Sequence, residues 1–427
     1  MLKFKKIILL FAFIVSVQTL FGQTIKLGNT IQCIDTSDLS KGLYQLDKVF
    51  KESKIILLGE AGHGDGMTFQ IKTKLIKYLV ENYGYNTLAL EGAGFVETPY
   101  GIQGIKSDSN IYKEFEKFWD FKWSKSEQTK ALMKYTSEKT KQNKLNLFGF
   151  ESQPNSTIYT KNLYPYLRNT CKTCLTGIDT NMFNNYVKGI FNYYGASAEN
   201  PLDETDKTIT SLDSLTKIFI KRITGNSYEC SLFRQHLLNI SSNLEIFIYN
   251  FQHMSYADQS VNIRDSVMAS NLFWYLDRNP ESKIIIWAAN FHTIKDLSLI
   301  TNNRDSMKYK SIIPMGKFIS DKYPKNSYSI AFTSASGQAG FCADTISYNL
   351  EETAKFPIDN SVLEYSFNNN NCKFAFYSFS NDSPLKEKKF RSLIFGGNMH
   401  KGYWAKSFDG VIYIDKQTKS TLRKNIE

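Results

Sequence analysis

KIILLGEAGHGDGMTFQIKTKLIKYLVENYGYNTLALEGAGF, residues 54–95, reads as strand, crossover helix and strand, and it decides how the rest of the chain is arranged. Ile55, Ile56, Leu57 and Leu58 form a short unbroken apolar run with β-branched content, as expected of a strand buried on both faces of a parallel sheet. The run stops at Gly59-Glu60. Asp65 can cap a following helix in which Ile71, Leu75, Ile76, Leu79 and Val80 recur at three-and-four spacing, leaving Lys72, Lys74 and Lys77 to face water. Gly84 stands where that helix should end. Leu88-Ala89-Leu90 then stops at Glu91, and a right-handed crossover lays it parallel to the first strand. Both strands end on the side of the sheet where open α/β folds bind ligands, so Glu60, His63 and Glu91 are predicted neighbours.

Further runs extend the pattern. Leu145 to Phe148 is a third strand, closing at Gly149-Phe150-Glu151, and Lys283 to Trp287 is a fourth, followed by Ala288-Ala289-Asn290-Phe291-His292. Tyr328 to Thr333 is a fifth, breaking at Ser334-Ala335-Ser336-Gly337, and Phe408 to Asp415 is the last. Between the second and third strands lies an aromatic-rich region with Phe118-Trp119 and Trp123, then a helix from about Glu127 to Thr140. Gly92 to Phe95 is expected to be a flexible turn beside the site. The fold class predicted is α/β, a mostly parallel central sheet flanked by helices, with an inserted helical subdomain. The division expected is 1–22 signal peptide, 23–153 first part of the α/β core, 154–262 helical insertion or lid, and 263–427 second part of the core. The insertion is marked by helical spacing at Leu212, Leu215, Ile218 and Phe219 and from Leu232 to Phe247; ordinary packing helices would give the same pattern.

Lys3, Lys5 and Lys6 precede an apolar run from Ile7 to about Val17, and Gly22-Gln23 offers a cleavage point, which together describe a secretory signal. The run falls short of the roughly 20 residues a membrane span needs, so an exported protein without stable membrane insertion is expected, periplasmic or extracellular. Loss of this segment removes three lysines and no acids, taking the formal charge from +11 to +8. That mild excess, without a basic cluster interleaved with aromatics, predicts no nucleic-acid partner. Hydrophobic content of 42% supplies a core that needs neither disulfides nor a metal to fold. Six cysteines are scattered through the chain, and export permits but does not assign disulfides. Cys171-Lys-Thr-Cys174 has redox-motif spacing, but no strand-to-helix setting surrounds it, so a loop disulfide or two thiols is expected there.

Imidazole titrates near neutrality, and a neighbouring carboxylate fixes its tautomer and stabilises its charged form, which is what general-base chemistry requires. His63 alone could be a helix-capping structural residue. His292 and Glu91 reaching the same edge from separate strands make a packing explanation harder. Arg264, read as standing at the start of the helix that feeds the His292 strand, could orient a carboxylate or stabilise an oxyanion. His236, His253 and His400 show no partner pattern and are read as structural. The turn Gly59 to Gly64 lacks the Gly-Lys-Ser/Thr ending of a phosphate loop and the dinucleotide spacing. No Gly-x-Ser-x-Gly elbow occurs, which argues against a serine hydrolase of the usual α/β kind. Two histidines and two glutamates could hold zinc, although neither HExxH nor closely spaced pairs are present.

GEAGHG at 59–64, ALE ending at Glu91, the FW and W of Phe118, Trp119 and Trp123, RDSVMASN at 264–271, WAANFH at 287–292, Pro314-Met315-Gly316 and FDGVIYID at 408–415 together resemble the successive blocks of the erythromycin esterase family. The resemblance runs in order through nearly the whole mature chain. It implies hydrolysis of an ester or macrolactone, including macrolide inactivation, by histidine-activated water, with no cofactor, no metal and no covalent serine intermediate. Carried onto this chain, His63 matches the general base, and Glu60, Glu91, Arg264 and His292 match the other functional positions. Members that open macrolides usually carry histidine where this chain has Ala289. Distant relatives with a similar sheet include haem-binding lipoproteins, which leaves a non-catalytic metal- or haem-binding protein, using the same His and Glu edge, as the alternative.

Overall fold

The computed structural model describes residues 25, 27, 31–35, 37–107, 110–153, 166–167, 169, 174–175, 177–195, 206–253, 258–301, 308–343, 347–350, 360–368, 370, 372–379, 383–397 and 399–424. The expected signal peptide, residues 1–22, lies outside them, as does Cys171.

In chain order the strands are β1 Gln32–Cys33, β2 Ile55–Leu58, β3 Thr87–Gly94, β4 Asn146–Glu151, β5 Ile284–Trp287, β6 Ile300–Thr301, β7 Ser327–Ala339, β8 Tyr348–Asn349, β9 Phe374–Ser378, β10 Phe390–Ser392, β11 His400–Gly402 and β12 Gly410–Gln417. The large sheet runs β1-β9-β12-β7-β2-β5-β3-β4, with β8 paired to the end of β7. From β12 to β4 its pairings are parallel, while β9 and β1 close one edge antiparallel. A small antiparallel sheet joins β10, β11 and β6.

The unbroken apolar runs follow from burial on both faces. Alternate residues of β2 divide between two cores, as the period of two in a strand requires. Ile55 and Leu57 join Met268, Leu272, Leu237 and Leu244, whereas Ile56 and Leu58 join Phe69, Leu75, Ile76 and Leu79. Each fully buried Leu or Ile contributes roughly 1.5–3 kcal/mol, so both helical layers are held firmly to the sheet. One layer is led by the Gly66–Tyr83 helix, which ends at Gly84 with φ +70°, a left-handed cap that glycine adopts without strain. The other contains the helices Asp206–Arg222, Tyr228–His253 and Asp258–Arg278.

β5 lies between β2 and β3, which run parallel and end on one side as expected. Several local expectations are corrected. β3 does not stop at Glu91. It continues to Gly94 through a register irregularity at which Gly92 has φ +70°, and Gly92 to Phe95 is buried rather than a flexible turn. β7 does not break at Ser334, because β12 and β8 keep pairing with it as far as Ala339. Asp65 stands at the helix N-cap but makes no capping bond; its Oδ2 accepts the Gly62 N–H at 2.8 Å, closing the preceding turn. Arg264 is not at a helix start, since its helix begins at Asp258, nearly two turns earlier. Cys174 is bonded to Cys230, and Cys33 to Cys372, so Cys174 is neither paired with Cys171 nor a free thiol, the two outcomes expected for it. Both bridges join segments far apart in sequence, which spacing cannot reveal.

Candidate active site

The sheet order β2-β5-β3-β4 sets four strand ends side by side, and each carries its polar group just past an apolar run: Glu60, the Ala289–His292 turn, Glu91 and Glu151. This is the carboxyl edge of a parallel sheet, where helix-flanked strands leave an open rim. Glycine makes the close packing there possible. A Cβ on Gly59 would lie 1.9 Å from Asn290 Oδ1, and one on Gly64 would lie 2.3 Å from the Gly340 carbonyl carbon. The glycine-rich turn thus admits neighbouring backbone and side chains.

Asn290 is the clamp of this rim. Its N–H donates to the Glu60 carbonyl at 2.8 Å, its Oδ1 accepts the Phe332 N–H at 3.1 Å, and its Nδ2 donates to the carbonyls of Phe332 and Ile394. The ends of β2, β5 and β7 are held in fixed relation.

His63 Nδ1 lies 3.0 Å from Glu60 Oε1, and its Nε2 lies 3.9 Å from Glu91 Oε1. Because a carboxylate only accepts, the proton belongs on Nδ1 and the Nε2 lone pair points into the rim. The His63 side chain is 28% exposed while Glu60 is fully buried, so solvent reaches the imidazole but not its partner. Glu60 is held from three sides. Besides His63, it accepts from Trp123 Nε1 at 3.0 Å and from Lys72 Nζ at 2.9 Å. The Trp123 ring meets the His63 ring edge-on at 4.8 Å and so walls the imidazole.

Lys72 was expected to face water and does not. It is completely buried, with Nζ 3.9 Å above the Trp287 ring, and burial pushes its ammonium down to about 8 against the pull of Glu60. It shares a stripe with Phe69, Leu75 and Ile76, which is the signal that could have placed it inside. An uncompensated carboxylate at Glu60 would be costly to bury, and Lys72 removes that cost. Asp65, also buried beside this pair, is pushed up to about 7 by burial and by the Glu60 charge.

The second half of the site is built on Arg264. Its Nε donates to Glu151 Oε1 at 3.0 Å and its Nη2 to Glu151 Oε2, a bidentate pair, while Nη2 also lies 3.5 Å from Glu91 Oε1. Burial opposes its charge, but Glu151 and Glu91 raise its pKa beyond the ordinary guanidinium value. Its Nη1 lies 2.8 Å from His292 Nε2. His292 Nδ1 in turn lies 2.9 Å from Asp265 Oδ2, which also accepts the Met315 N–H at 2.8 Å. Since Arg264 can only donate, this is the geometry of a neutral His292 with its proton toward Asp265. Burial works against a charged ring, yet Asp265 and Glu91, the latter 3.3 Å from Nε2, carry the balance upward. Glu91 ties the halves together. Burial opposes its ionisation, but the charged forms of His292 and His63, with Arg264 and the Ala289 N–H, which donates to Oε2 at 2.6 Å, hold its carboxylate down to about 2.

All five residues singled out from sequence, Glu60, His63, Glu91, Arg264 and His292, therefore meet at one rim. Lys72, Glu151, Asp265 and Trp123 belong to the same network and were not singled out. The three histidines read as structural lie elsewhere. His236 is buried, with burial pushing it down to about 3; His400 Nε2 is 3.0 Å from the Tyr309 hydroxyl; His253 is exposed near a helix end. Among the described residues no group of three or more His, Cys, Asp or Glu side chains is placed to hold a metal ion. Lys72 is ion-paired with Glu60, and Arg264 with Glu91 and Glu151. No helix of the described residues is long and apolar enough to cross a membrane.

A family model described as erythromycin esterase matches residues 80–417, a span containing Glu91, Glu151, Arg264, Asp265 and His292 and beginning after His63. The chain is 24% identical over 427 aligned residues to the putative hydrolase YbfO of Bacillus subtilis, covering 92% of this chain and 90% of that one. It is 23% identical over 416 residues to erythromycin esterase type II of Escherichia coli, covering 88% and 93%. A solved structure of a mutant of the erythromycin esterase EreC in its open conformation superposes with a TM-score of 0.68 at 18% identity, covering 93% of this chain and all of that one.

Proposed function

This chain belongs to the erythromycin esterase family, and on that premise we propose that it hydrolyses an ester or lactone of a small molecule by histidine-activated water. The observation that carries the reading is His63, a 28% exposed side chain whose Nδ1 is held by buried Glu60 at 3.0 Å while its Nε2 is turned toward Glu91, 3.9 Å away. In the reaction, Nε2 takes a proton from a bound water as the water oxygen attacks the carbonyl carbon. The tetrahedral oxyanion is assigned to the Arg264 and His292 side of the rim, where the cation is the Arg264 guanidinium, already shared with Glu91 and Glu151. On collapse the carbon–oxygen bond to the leaving alcohol breaks, and the His63 imidazolium returns its proton to that oxygen. Glu60 stabilises the imidazolium between the two transfers. Arg264 is chiefly an orienting group here, because its Nε and Nη2 are engaged by Glu151 and its Nη1 faces His292.

No step requires a covalent intermediate or a metal. The two disulfides support the expectation of an exported protein, since such bonds persist in oxidising compartments.

The test is incubation of the purified protein with a panel of macrolides and simple esters, followed by mass spectrometry. Addition of one water to at least one compound, insensitive to chelators, is expected. Absence of turnover across the panel, with stoichiometric metal or a Soret band in the purified protein, would favour the binding-protein alternative.

A further inference from the structure

The turn that carries His63 holds glycine at 59, 62, 64 and 66 and has few side chains of its own with which to fix its shape. Glycine loses more conformational freedom on ordering than any other residue, so a base mounted there needs support from outside the turn. That support comes from the other end of the chain. After β12, residues 418–423 leave the sheet and run across the site's two loops. The Gly66 N–H donates to the Thr418 carbonyl at 2.8 Å, and the Ser420 N–H donates to the Gly64 carbonyl at 2.9 Å. The fit is close: a Cβ on Gly66 would lie 2.9 Å from the Lys419 carbonyl oxygen. His63 thus sits between a residue tied internally to Asp65 and one tied to Ser420.

The same segment then grips the loop that presents Trp123. Ser420 Oγ lies 2.7 Å from Ser126 Oγ, the Glu127 N–H donates to the Thr421 carbonyl at 2.8 Å, and the Arg423 N–H donates to the Lys125 carbonyl at 2.7 Å. Arg423 Nη1 reaches the Ser124 carbonyl at 2.7 Å, and Nη2 is bonded to Glu116. Trp123, one residue before this anchor, is the ring that walls His63 and donates to Glu60.

We infer that residues 418–423 are a positioning strap, which fixes the His63 turn and the Trp123 loop relative to each other and thereby holds the base in register with Glu60. The inference rests on the reading of His63 as the base. None of these residues touches the reacting atoms. Misplacement of a catalytic group by about 1 Å costs on the order of 10²-fold in rate, so loosening the strap should act on turnover more than on substrate binding.

The test compares the parent protein with a chain ending at Gln417 and with the double variant Ser420→Ala, Arg423→Ala, each labelled with 15N-histidine. Five histidines make the ring spectrum simple to assign. The expected result is that the His63 ring signals move and broaden while those of His292 stay, and that kcat on a cleaved ester falls about tenfold or more with KM within about twofold. His63 signals identical to the parent in both variants, or equal movement of His292, would overturn the strap. If the shortened chain does not fold, the double variant alone decides by the same criteria. The ring signals need no substrate: His63 displaced in a protein that cleaves no ester would sink the hydrolase reading and leave the strap standing.

Discussion

His292 Nε2 lies 2.8 Å from Arg264 Nη1, and its other nitrogen lies 2.9 Å from Asp265 Oδ2, so a donor on one side and an acceptor on the other dictate which tautomer the ring adopts. Asp265→Asn tests the charge behind this arrangement. Its amide oxygen can still take both bonds that Oδ2 takes, from His292 Nδ1 and the Met315 N–H, so the variant removes the negative charge that draws a proton to the ring and leaves the hydrogen bonds. Turnover should fall on the order of 10²-fold or more with little change in thermal midpoint, measured by steady-state kinetics beside calorimetry. Unchanged kcat would remove Asp265 from the functional network.

Lys72 and Glu60 form a pair with no exposure on either side. Lys72→Met keeps the volume and deletes the charge, leaving Glu60 buried with only Trp123 and His63 as partners. A loss of about 3–5 kcal/mol in urea unfolding is expected, because breaking one half of a buried pair strands the other. A variant as stable as the parent would show that Glu60 does not need the ammonium.

Asp65 gives a pH signature. Its carboxyl is pushed up to about 7 in the folded protein from an ordinary 3.8, by burial first and the Glu60 charge second. The folded state therefore holds a proton that the unfolded chain releases. The stability contributed is complete below about 3.8 and is lost as pH rises through 7. Asp65→Asn cannot ionise, so its melting temperature should gain on the parent's between about pH 4 and 7, by on the order of 5 °C, and level off above. Parallel curves for the two proteins would contradict the assignment.

Much of this rim was legible because its chemistry falls at punctuation marks. Glu60, Glu91 and Glu151 each follow an apolar run, and His292 follows another, so the periodicity that announces a buried strand also points to what stands at its end. Lys72 was hidden because an amphipathic pattern assigns lysine to water; only a buried carboxylate twelve residues earlier makes the opposite placement tolerable. Asp265 was hidden behind Arg264, its meaning set by His292 and Met315 from distant segments. Residues 418–423 have no period at all, since they pair with loops rather than with a strand ladder or a helix face. The disulfide partners of Cys33 and Cys174 are 339 and 56 residues away, beyond any local reading.

Ala289 offers a gain-of-function test. Its N–H already donates to Glu91 at 2.6 Å, so Ala289→His adds an imidazole to the rim without removing the backbone contact. Macrolide ring opening, followed by mass spectrometry, should rise at least about tenfold if a second imidazole there serves proton transfer. No change on any macrolide would show that substrate choice is set elsewhere in the site.

The base itself is tested most directly by kcat/KM of His63→Ala on an ester the parent protein cleaves, with circular dichroism to establish that the fold is kept. A fall of about 10²–10⁴-fold in an otherwise native protein is the expected result. Hydrolysis by His63→Ala at the parent rate would contradict water activation by this imidazole.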